Sequence, residues 1–271
     1  MHVKKIRLDL LLVERGLAES RSIAQRLVMA GQVRVNGEVV LRSAVNVVPD
    51  VRLEVENRPQ FVSRGGEKLE AALNAFKLNV EGQTCADVGS STGGFTDCLL
   101  QHGATKVYAI DVGQGILDWK LRQDRRVMVM EGTNARYIDR LPEAVGIITI
   151  DASFISLKVL LPVIKNWFFS EAHTRSNVQG MMIALIKPQF EAGRQQVGRG
   201  KGVIRDPAIH RQVLMDVLGY ALQQDYGIRG LLRSPLVGPK GNVEFLAWLE
   251  YPGEQAKSIN ELVDLVLAEP Q

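Results

Sequence analysis

The sequence is poor in cysteine, in long apolar runs and in net charge, and each shortage removes a class of protein. Cys85 and Cys98 are the only cysteines in 271 residues. Two are too few for the disulfide framework of a small secreted domain. They also lack metal-ligand spacing, and both lie in apolar stretches, so they read as buried free thiols. The longest apolar run, near 146–164, is interrupted by Asp151 and Lys158, which argues against a membrane span. The first residues, Met1-His2-Val3-Lys4-Lys5, lead into a charged amphipathic stretch without the apolar core of a signal peptide. The expectation is a cytoplasmic protein with no stable membrane association and no metal. Hydrophobic residues make up 46% and charged residues 23%, ordinary for a globular chain and unlike a disordered one. The net charge of +3 is unevenly placed: residues 1–60 hold ten Lys and Arg against seven Asp and Glu, and residues 61–271 hold twenty-three of each. The whole excess lies in the first sixty residues, where a local basic surface steers polyanions better than a diffuse one.

Residues 1–57 read as a small α+β module. Leu8, Leu11 and Leu12 fall at helical spacing before Arg15, and Gly16 is a natural stop. Ser20 caps a second helix with Ile23, Ala24, Leu27 and Val28 on its inner stripe and Arg21, Gln25 and Arg26 outside; Gly31 ends it. In Val33-Arg34-Val35-Asn36-Gly37-Glu38-Val39-Val40 the Asn-Gly pair between β-branched residues predicts a hairpin, and a further strand follows over Val51 to Val55. The run Arg7-Leu8-Asp9, Gly16-Leu17, Ser20-Arg21, Ala24, Gly31 and Val33-x-Val35-Asn36-Gly37 resembles the S-four RNA-binding domain found in a ribosomal protein, tyrosyl-tRNA synthetases and pseudouridine synthases. The resemblance implies that the two-helix face meets the phosphates of structured RNA, with Lys4, Lys5, Arg7, Arg21 and Arg26 along the contact. Such contacts give affinity with little sequence information, so target choice is expected to rest on RNA shape and on the second domain. The alternative is that these side chains only solubilise a helical face.

A polar linker, 58–62, in which Pro59 disfavours helix, precedes a larger domain, 63–271. Apolar strands are expected over Thr84–Val88, Lys106–Ile110, Val127–Met130, Gly146–Ile150 and Met181–Ile186, with amphipathic stretches near 94–102, 116–122, 155–168 and 207–225. The alternation predicts a parallel sheet covered by helices on both faces, with any ligand beyond the C-terminal ends of the strands.

The first of these strands runs into Ala86-Asp87-Val88-Gly89-Ser90-Ser91-Thr92-Gly93-Gly94-Phe95, a tight glycine turn before a helix N-terminus. It matches neither G-x-G-x-x-G nor a P-loop, and Asp87 would repel a phosphate. An acid there suits a cationic amino-acid moiety, such as the methionyl ammonium of S-adenosylmethionine. Asp111, ending the next strand, is placed to accept from ribose hydroxyls, and Glu131-Gly132-Thr133-Asn134-Ala135-Arg136 lies at the adenine edge. For any one of these acids the alternative is a plain helix cap. Together they make Asp87, Gly89, Ser90, Gly93, Gly94, Phe95, Asp111 and Asn134 the candidate cofactor-binding residues.

The D-V-G-S-S-T-G-G-F turn resembles the glycine-rich motif of FtsJ-like ribose methyltransferases, although Ser90-Ser91-Thr92 departs from the common Ala-Ala-Pro. With Ser63-Arg64-Gly65-Gly66-Glu67-Lys68-Leu69, Asp111-Val112-Gly113, Trp119-Lys120-Leu121-Arg122, Asp151-Ala152-Ser153-Phe154 and Ile186-Lys187-Pro188-Gln189-Phe190-Glu191, nearly the whole chain is similar to the TlyA/haemolysin A family. The implied fold is α/β: a Rossmann-like class I methyltransferase sheet behind a small N-terminal α+β RNA-binding domain. The implied activity is S-adenosylmethionine-dependent 2′-O-methylation of ribosomal RNA, on naked RNA or on ribosomal subunits. Position by position, the family's Lys-Asp-Lys-Glu tetrad falls on Lys68, Asp151, Lys187 and Glu244. Alignment of oxygen, methyl and sulfur, with removal of one proton, is what this chemistry needs. Lys187 is expected to deprotonate or polarise the 2′-oxygen, its pKa lowered by burial near Lys68. Lys68 would position the hydroxyl, while Asp151 and Glu244 orient the ammonium groups.

Each tetrad member also has a plainer reading: a strand-end ion pair for Asp151 and Lys187, an exposed strand charge for Glu244, a solvent-facing helical lysine for Lys68. Base methyltransferases often carry Asn/Asp-Pro-Pro-aromatic after the fourth strand; Asp151-Ala152-Ser153-Phe154 favours ribose. The basic glycine-rich stretch Gly193–Gly202, with Arg194, Arg199 and Lys201, reads as a substrate loop or a linker. Two competing readings are a non-catalytic RNA-binding assembly factor, which a complete tetrad disfavours, and a membrane cytolysin, for which the sequence offers no lytic helix.

Overall fold

In the first sixty residues the apolar spacing becomes a two-helix layer on short strands. The computed structural model describes residues 5–29, 31–55, 60–169, 179–193, 202–255 and 258–268; the chain divides into the units Met1–Gln60 and Phe61–Gln271. Lys4, Arg58 and Pro59 of the expected linker, and Arg194, Arg199 and Lys201 lie outside the described residues. Strand β1 (Ile6–Arg7) leads directly into helix α1 (Leu8–Glu14), whose Leu8, Leu11 and Leu12 are buried against Ala24, Leu27 and Val28 of α2 (Arg21–Met29). Ser20 Oγ accepts from the Ile23 N–H at 3.3 Å, the expected cap. β2 (Val33–Val35) and β3 (Glu38–Val39) form the hairpin, with Asn36 and Gly37 at φ 53° and 86°, both positive as a type I′ turn requires. β4 (Asn46–Val47) pairs with β1, and β5 (Leu53–Val55) with β2. The β1–β4 pair was not expected; two-residue strands carry no period to read.

In the second unit a seven-stranded sheet has the order β11-β12-β10-β9-β6-β7-β8. Its strands are β6 (Thr84–Val88), β7 (Lys106–Ile110), β8 (Val127–Met130), β9 (Ile147–Ile150), β10 (Gly180–Ile186), β11 (Gly227–Arg233) and β12 (Phe245–Tyr251). The five expected strands are parallel, but β12 runs antiparallel to both β10 and β11, so the sheet is mixed rather than purely parallel. Both faces are buried, and the strand residues alternate between them. Ala86, Val88, Ile148, Ile150, Ala184 and Ile186 enter one core, and Cys85, Ile147, Ile183 and Leu185 the other. That double burial explains why the strands read as continuous apolar runs.

The strand order reverses between β6, which continues to β7 on one side, and β9 on the other. A crevice opens at such a reversal, outside the strand C-termini. Helices α3 (Gly65–Phe76) and α4 (Gly94–Gln101) meet near it: a Cβ on Gly94 would lie 2.8 Å from the Gly66 nitrogen, an approach that leaves no space for a side chain. Phe61 and Val62, expected in the linker, belong to this unit instead. Phe61 is 3% exposed, its ring packs on Gly66, and the Val62 N–H donates to Asp97 Oδ2 at 2.9 Å. No described helix is long and apolar enough to cross a membrane.

Candidate active site

Sheet register brings three distant charges to one rim. Asp151 follows the last residue of β9, Lys187 the last of β10, and Glu244 precedes the first of β12. Because Ile186 pairs with Phe245 in the antiparallel ladder, Lys187 and Glu244 are one step beyond that pair and side by side. Parallel pairing of Ile150 with Ala184 sets Asp151 on the other flank of Lys187. Lys68 arrives from the first turn of α3. Lys68 Nζ donates to Glu244 Oε2 at 2.6 Å, with side chains 11% and 1% exposed. Lys187 Nζ lies 2.6 Å from Asp151 Oδ1, a charge contact off the line of a hydrogen bond, and donates to Ser153 Oγ at 3.0 Å and to the Asp151 carbonyl at 3.4 Å.

All four charged residues line one cavity of about 970 Å³, together with Ser90, Gly94, Phe95, Ser153, Phe154 and Gln189. Two of the plainer readings therefore fail: Glu244 is neither exposed nor inside a strand, and Lys68 does not face solvent. The two lysines are not set against each other, since each has its own carboxylate. Buried pairs of this kind add little stability, because desolvation offsets the Coulomb gain.

A second cavity of about 450 Å³ lies at the ends of β6, β7 and β9 and is lined by Gly89, Asp111, Thr133, Asn134, Asp151 and Phe154. Gly89, Ser91, Asp151, Ser153 and Phe154 line both, so the two spaces adjoin. Gly89 has φ +82°, and a Cβ there would meet the Asp151 carbonyl oxygen at 2.8 Å; both facts require glycine. Asp111 accepts from the backbone N–H groups of Ser91 (2.8 Å) and Gly113 (2.7 Å), tying the glycine turn to the next loop. Asn134 caps the turn Ala135–Tyr137 by accepting from the Arg136 N–H. Glu131 accepts from Arg122 and from the N–H groups of Gly115, Leu117 and Ile116, which hold its carboxyl down at about 2 and fix the loop beside this cavity.

Two expected cofactor residues stand elsewhere. Asp87 lines neither cavity. It shares the Cys85 side of β6, is 0% exposed, and accepts from Thr96 Oγ1 (2.7 Å) and Thr149 Oγ1 (3.1 Å). Burial pushes its carboxyl up to about 7, against the pull of those two hydroxyls. Gly93 also lines neither cavity; at φ +97° a Cβ there would strike Leu121. Its role is to let α4 start against the Leu117–Leu121 segment.

Sequence reasoning missed Ser153, Gln189 and Phe190, which have no charge to mark them. Gln189 Nε2 donates to Glu244 Oε1 at 3.4 Å. Phe190 packs on Phe154 with ring centroids 4.9 Å apart, and Phe154 is 90% exposed with φ +63°, an uncommon conformation for an aromatic residue. Asn242 was also missed. It is 3% exposed; its Oδ1 accepts from the Ile204 N–H and its Nδ2 donates to the Gly202 carbonyl.

In the small unit, the organising residue is one that sequence reasoning passed over. Asp9 is 0% exposed, yet accepts from Arg7 Nε (3.0 Å) and Nη2 (2.8 Å), Arg21 Nε (3.1 Å) and Gln25 Nε2 (2.9 Å). The Arg7 bond above all, helped by Gln25 and Arg21, holds its carboxyl far below the usual range. The Arg7 and Arg21 side chains stay 37% and 53% exposed. Lys5 and Arg26 are exposed, and neither joins this cluster. The available signal was position: Asp9 falls within the apolar spacing of Leu8 and Leu12, where an acid must find partners.

The sheet order and the paired charges at its rim define a Rossmann-like class I methyltransferase. The FtsJ-like methyltransferase family matches residues 61–251 and the S4 domain matches residues 6–53; the chain belongs to the FtsJ-like methyltransferase family and carries an S4 domain before it. It is 42% identical to the 16S/23S rRNA (cytidine-2′-O)-methyltransferase TlyA of Mycobacterium tuberculosis, over 97% of this chain and 96% of the relative. It is 43% identical to Hemolysin A of Brachyspira hyodysenteriae, over 89% of this chain and 98% of that one. A solved structure from Streptococcus thermophilus, provisionally described as a hemolysin, superposes with a TM-score of 0.70 at 41% identity, over 98% of this chain and 96% of the other.

Proposed function

We propose that this chain methylates a ribose 2′-hydroxyl of ribosomal RNA, taking the methyl group from S-adenosylmethionine, with the small unit gripping RNA phosphates. The observation that carries the reading is the convergence of Lys68, Asp151, Lys187 and Glu244 on one cavity as two ion pairs. The cofactor fits the donor set. Asp111 and Asn134 would hold the ribose and adenine in the smaller space, and Gly89, Ser90, Gly94 and Phe95 the methionyl part. Ser90 supports the fit, because its Oγ is buried without a hydrogen-bond partner among the described residues, which a polar ligand group would relieve. When bound, S-adenosylmethionine supplies a methyl already activated by a sulfonium, so the protein's task is to align and prepare the oxygen.

Lys187, paired with Asp151, would hold the 2′-oxygen, and the proton that leaves the oxygen on methylation would pass to this Lys187–Asp151 pair at the same rim. Its longest contact, 3.4 Å to the Asp151 carbonyl, is the one an incoming hydroxyl can replace. Lys68 uses one hydrogen on Glu244, and its other two have no acceptor among the described residues, so they are free for substrate. The two pairs cancel charge where the hydroxyl must lie, while Arg64 and Lys240 on the same cavity wall leave it net positive, which suits the backbone of an RNA substrate. Phe154, exposed over Phe190 at the mouth of both cavities, offers a face on which an unstacked base can lie. In the small unit the outward N–H groups of Arg7 and Arg21 suit phosphate oxygens.

The test is methyl transfer from radiolabelled S-adenosylmethionine to small and large ribosomal subunits and to their naked RNA. The expected product carries label in a linkage resistant to alkaline cleavage, since a 2′-O-methyl blocks attack on the adjacent phosphate. Label on a base, or none on any RNA, would refute the assignment.

A further inference from the structure

The two ion pairs leave one requirement of the chemistry unmet. A ribose hydroxyl has one hydrogen and two lone pairs. One lone pair must face the methyl group, and the ammonium of Lys187 or Lys68 takes the other, so the hydrogen needs an acceptor inside the cavity. Both lysines can only donate. Glu244 already accepts from Lys68 on Oε2 and from Gln189 on Oε1; Asp151 Oδ1 makes no hydrogen bond, but the Lys187 ammonium 2.6 Å away competes with any hydroxyl for it. Gln189 lines the same cavity, and its Oε1 is buried with no hydrogen-bond partner among the described residues. Its orientation is not free. A flipped amide would turn its carbonyl on the Glu244 carboxylate, so Nε2 must face Glu244 and Oε1 must face away. A buried carbonyl left unmatched is destabilising, a penalty that a substrate donor removes. Within an RNA chain the 3′-oxygen is esterified, so the reacting 2′-hydroxyl is the only sugar donor that can reach it.

We propose that Gln189 is a fifth member of the site, a positioning residue whose Oε1 accepts the hydrogen of the substrate 2′-hydroxyl and turns a lone pair toward the methyl donor. The role rests on the ribose-methyltransferase reading above. Gln189 accepts a hydrogen bond and keeps no proton, because an amide carbonyl is too weak a base; the proton released on methylation passes to the Lys187–Asp151 pair on the same cavity wall.

The experiment crosses protein with substrate. Wild-type chain and Gln189→Met, which keeps length but has no acceptor, are compared on RNA carrying either a ribose or a 2′-deoxyribose at the methylated nucleotide, once that nucleotide is mapped. On ribose, Gln189→Met is expected to lower kcat about 10–100-fold with RNA KM and S-adenosylmethionine affinity within threefold. In binding, wild type should prefer ribose to deoxyribose about 5-fold or more, and Gln189→Met should lose that preference. Gln189→Asn, which keeps the amide but not the reach, should behave as Gln189→Met does and guards against a packing defect peculiar to methionine. Unchanged kcat in both variants, or a ribose preference that survives them, overturns the role. So does a loss that follows the identity of the base instead of the 2′-oxygen. A wild-type chain that methylates no RNA overturns the enzyme reading and this inference together, whereas active wild type with active variants sinks the inference alone.

Discussion

Asp9 in the small unit and Glu244 in the large one are both carboxylates at 0–1% exposure beside basic side chains, but their partners differ in number and in freedom. Asp9 gathers Arg7, Arg21 and Gln25, and the two arginines remain 37% and 53% exposed. Glu244 takes a single lysine that is 11% exposed, and Asp151 pairs likewise with Lys187 at 9%. One acid under several exposed guanidiniums makes a cationic fork whose outer N–H groups can still meet phosphates. One acid for each buried lysine cancels the charge where a hydroxyl must be ordered, and leaves the excess cations of that cavity, Arg64 and Lys240, to its other walls. The same residue types thus serve affinity in one unit and alignment in the other, and burial of the cation decides which.

The largest effect should come from breaking a one-to-one pair. Lys187→Met is expected to lower methyl transfer at least about 100–1000-fold while S-adenosylmethionine affinity, read by calorimetry, stays within a few-fold. If activity survives, the pair is only a strand-end brace and the contrast with Asp9 disappears. A third buried acid sharpens the comparison through pH. Asp87 is as buried as Asp9 but faces two hydroxyls in place of two arginines, and its carboxyl rises to about 7 while that of Asp9 falls. A raised folded-state pKa means that the folded form binds more protons, so the large unit loses stability as pH climbs from about 4 to about 7 and then levels off. At about 1.4 kcal/mol per pKa unit, the loss is at most about 4 kcal/mol. Asp87→Asn, which mimics the protonated acid, should flatten this slope in denaturant melts between pH 5 and 8. A wild-type stability that rises over that window contradicts the account.

The same contrast explains what the sequence could and could not disclose. Asp151 and Lys187 were legible because each ends an apolar strand, Ile147–Ile150 or Gly180–Ile186, where a charge interrupts an otherwise buried pattern. Lys68 and Glu244 rested on the family resemblance, since their pairing across 176 positions depends on the antiparallel insertion of β12, a non-local choice that no local period records. Strand β11, Gly-Ile-Arg-Gly-Leu-Leu-Arg, was passed over because two glycines and two arginines dilute its signal. Asp87 and Gly93 fall where the motif puts them along the chain, but neither lines either cavity, and a sequence motif does not say to which side of a strand or turn a residue points. Gln189 was invisible for another reason: its importance lies in an unmatched carbonyl, and only coordinates reveal a missing partner.

The smallest effects concern the small unit, and there the sign of the change matters more than its size. Removing a negative charge from a phosphate-binding face should by Coulomb attraction alone tighten RNA binding. If Asp9 acts by ordering Arg7 and Arg21, Asp9→Asn should instead weaken it, roughly tenfold, because both guanidiniums lose their anchor. Arg21→Lys keeps the charge yet cannot hold Asp9 and grip a phosphate in the same fork, so a loss of about threefold is expected. Arg26→Lys, on an exposed residue with no bond to Asp9, should change affinity less than about twofold. Filter binding of ribosomal RNA across a salt series reads all three, with thermal melting to verify that the small unit stays folded. Tighter binding by Asp9→Asn, or equal losses at Arg21 and Arg26, would mean that the face works as a diffuse positive surface and that the buried acid organises nothing.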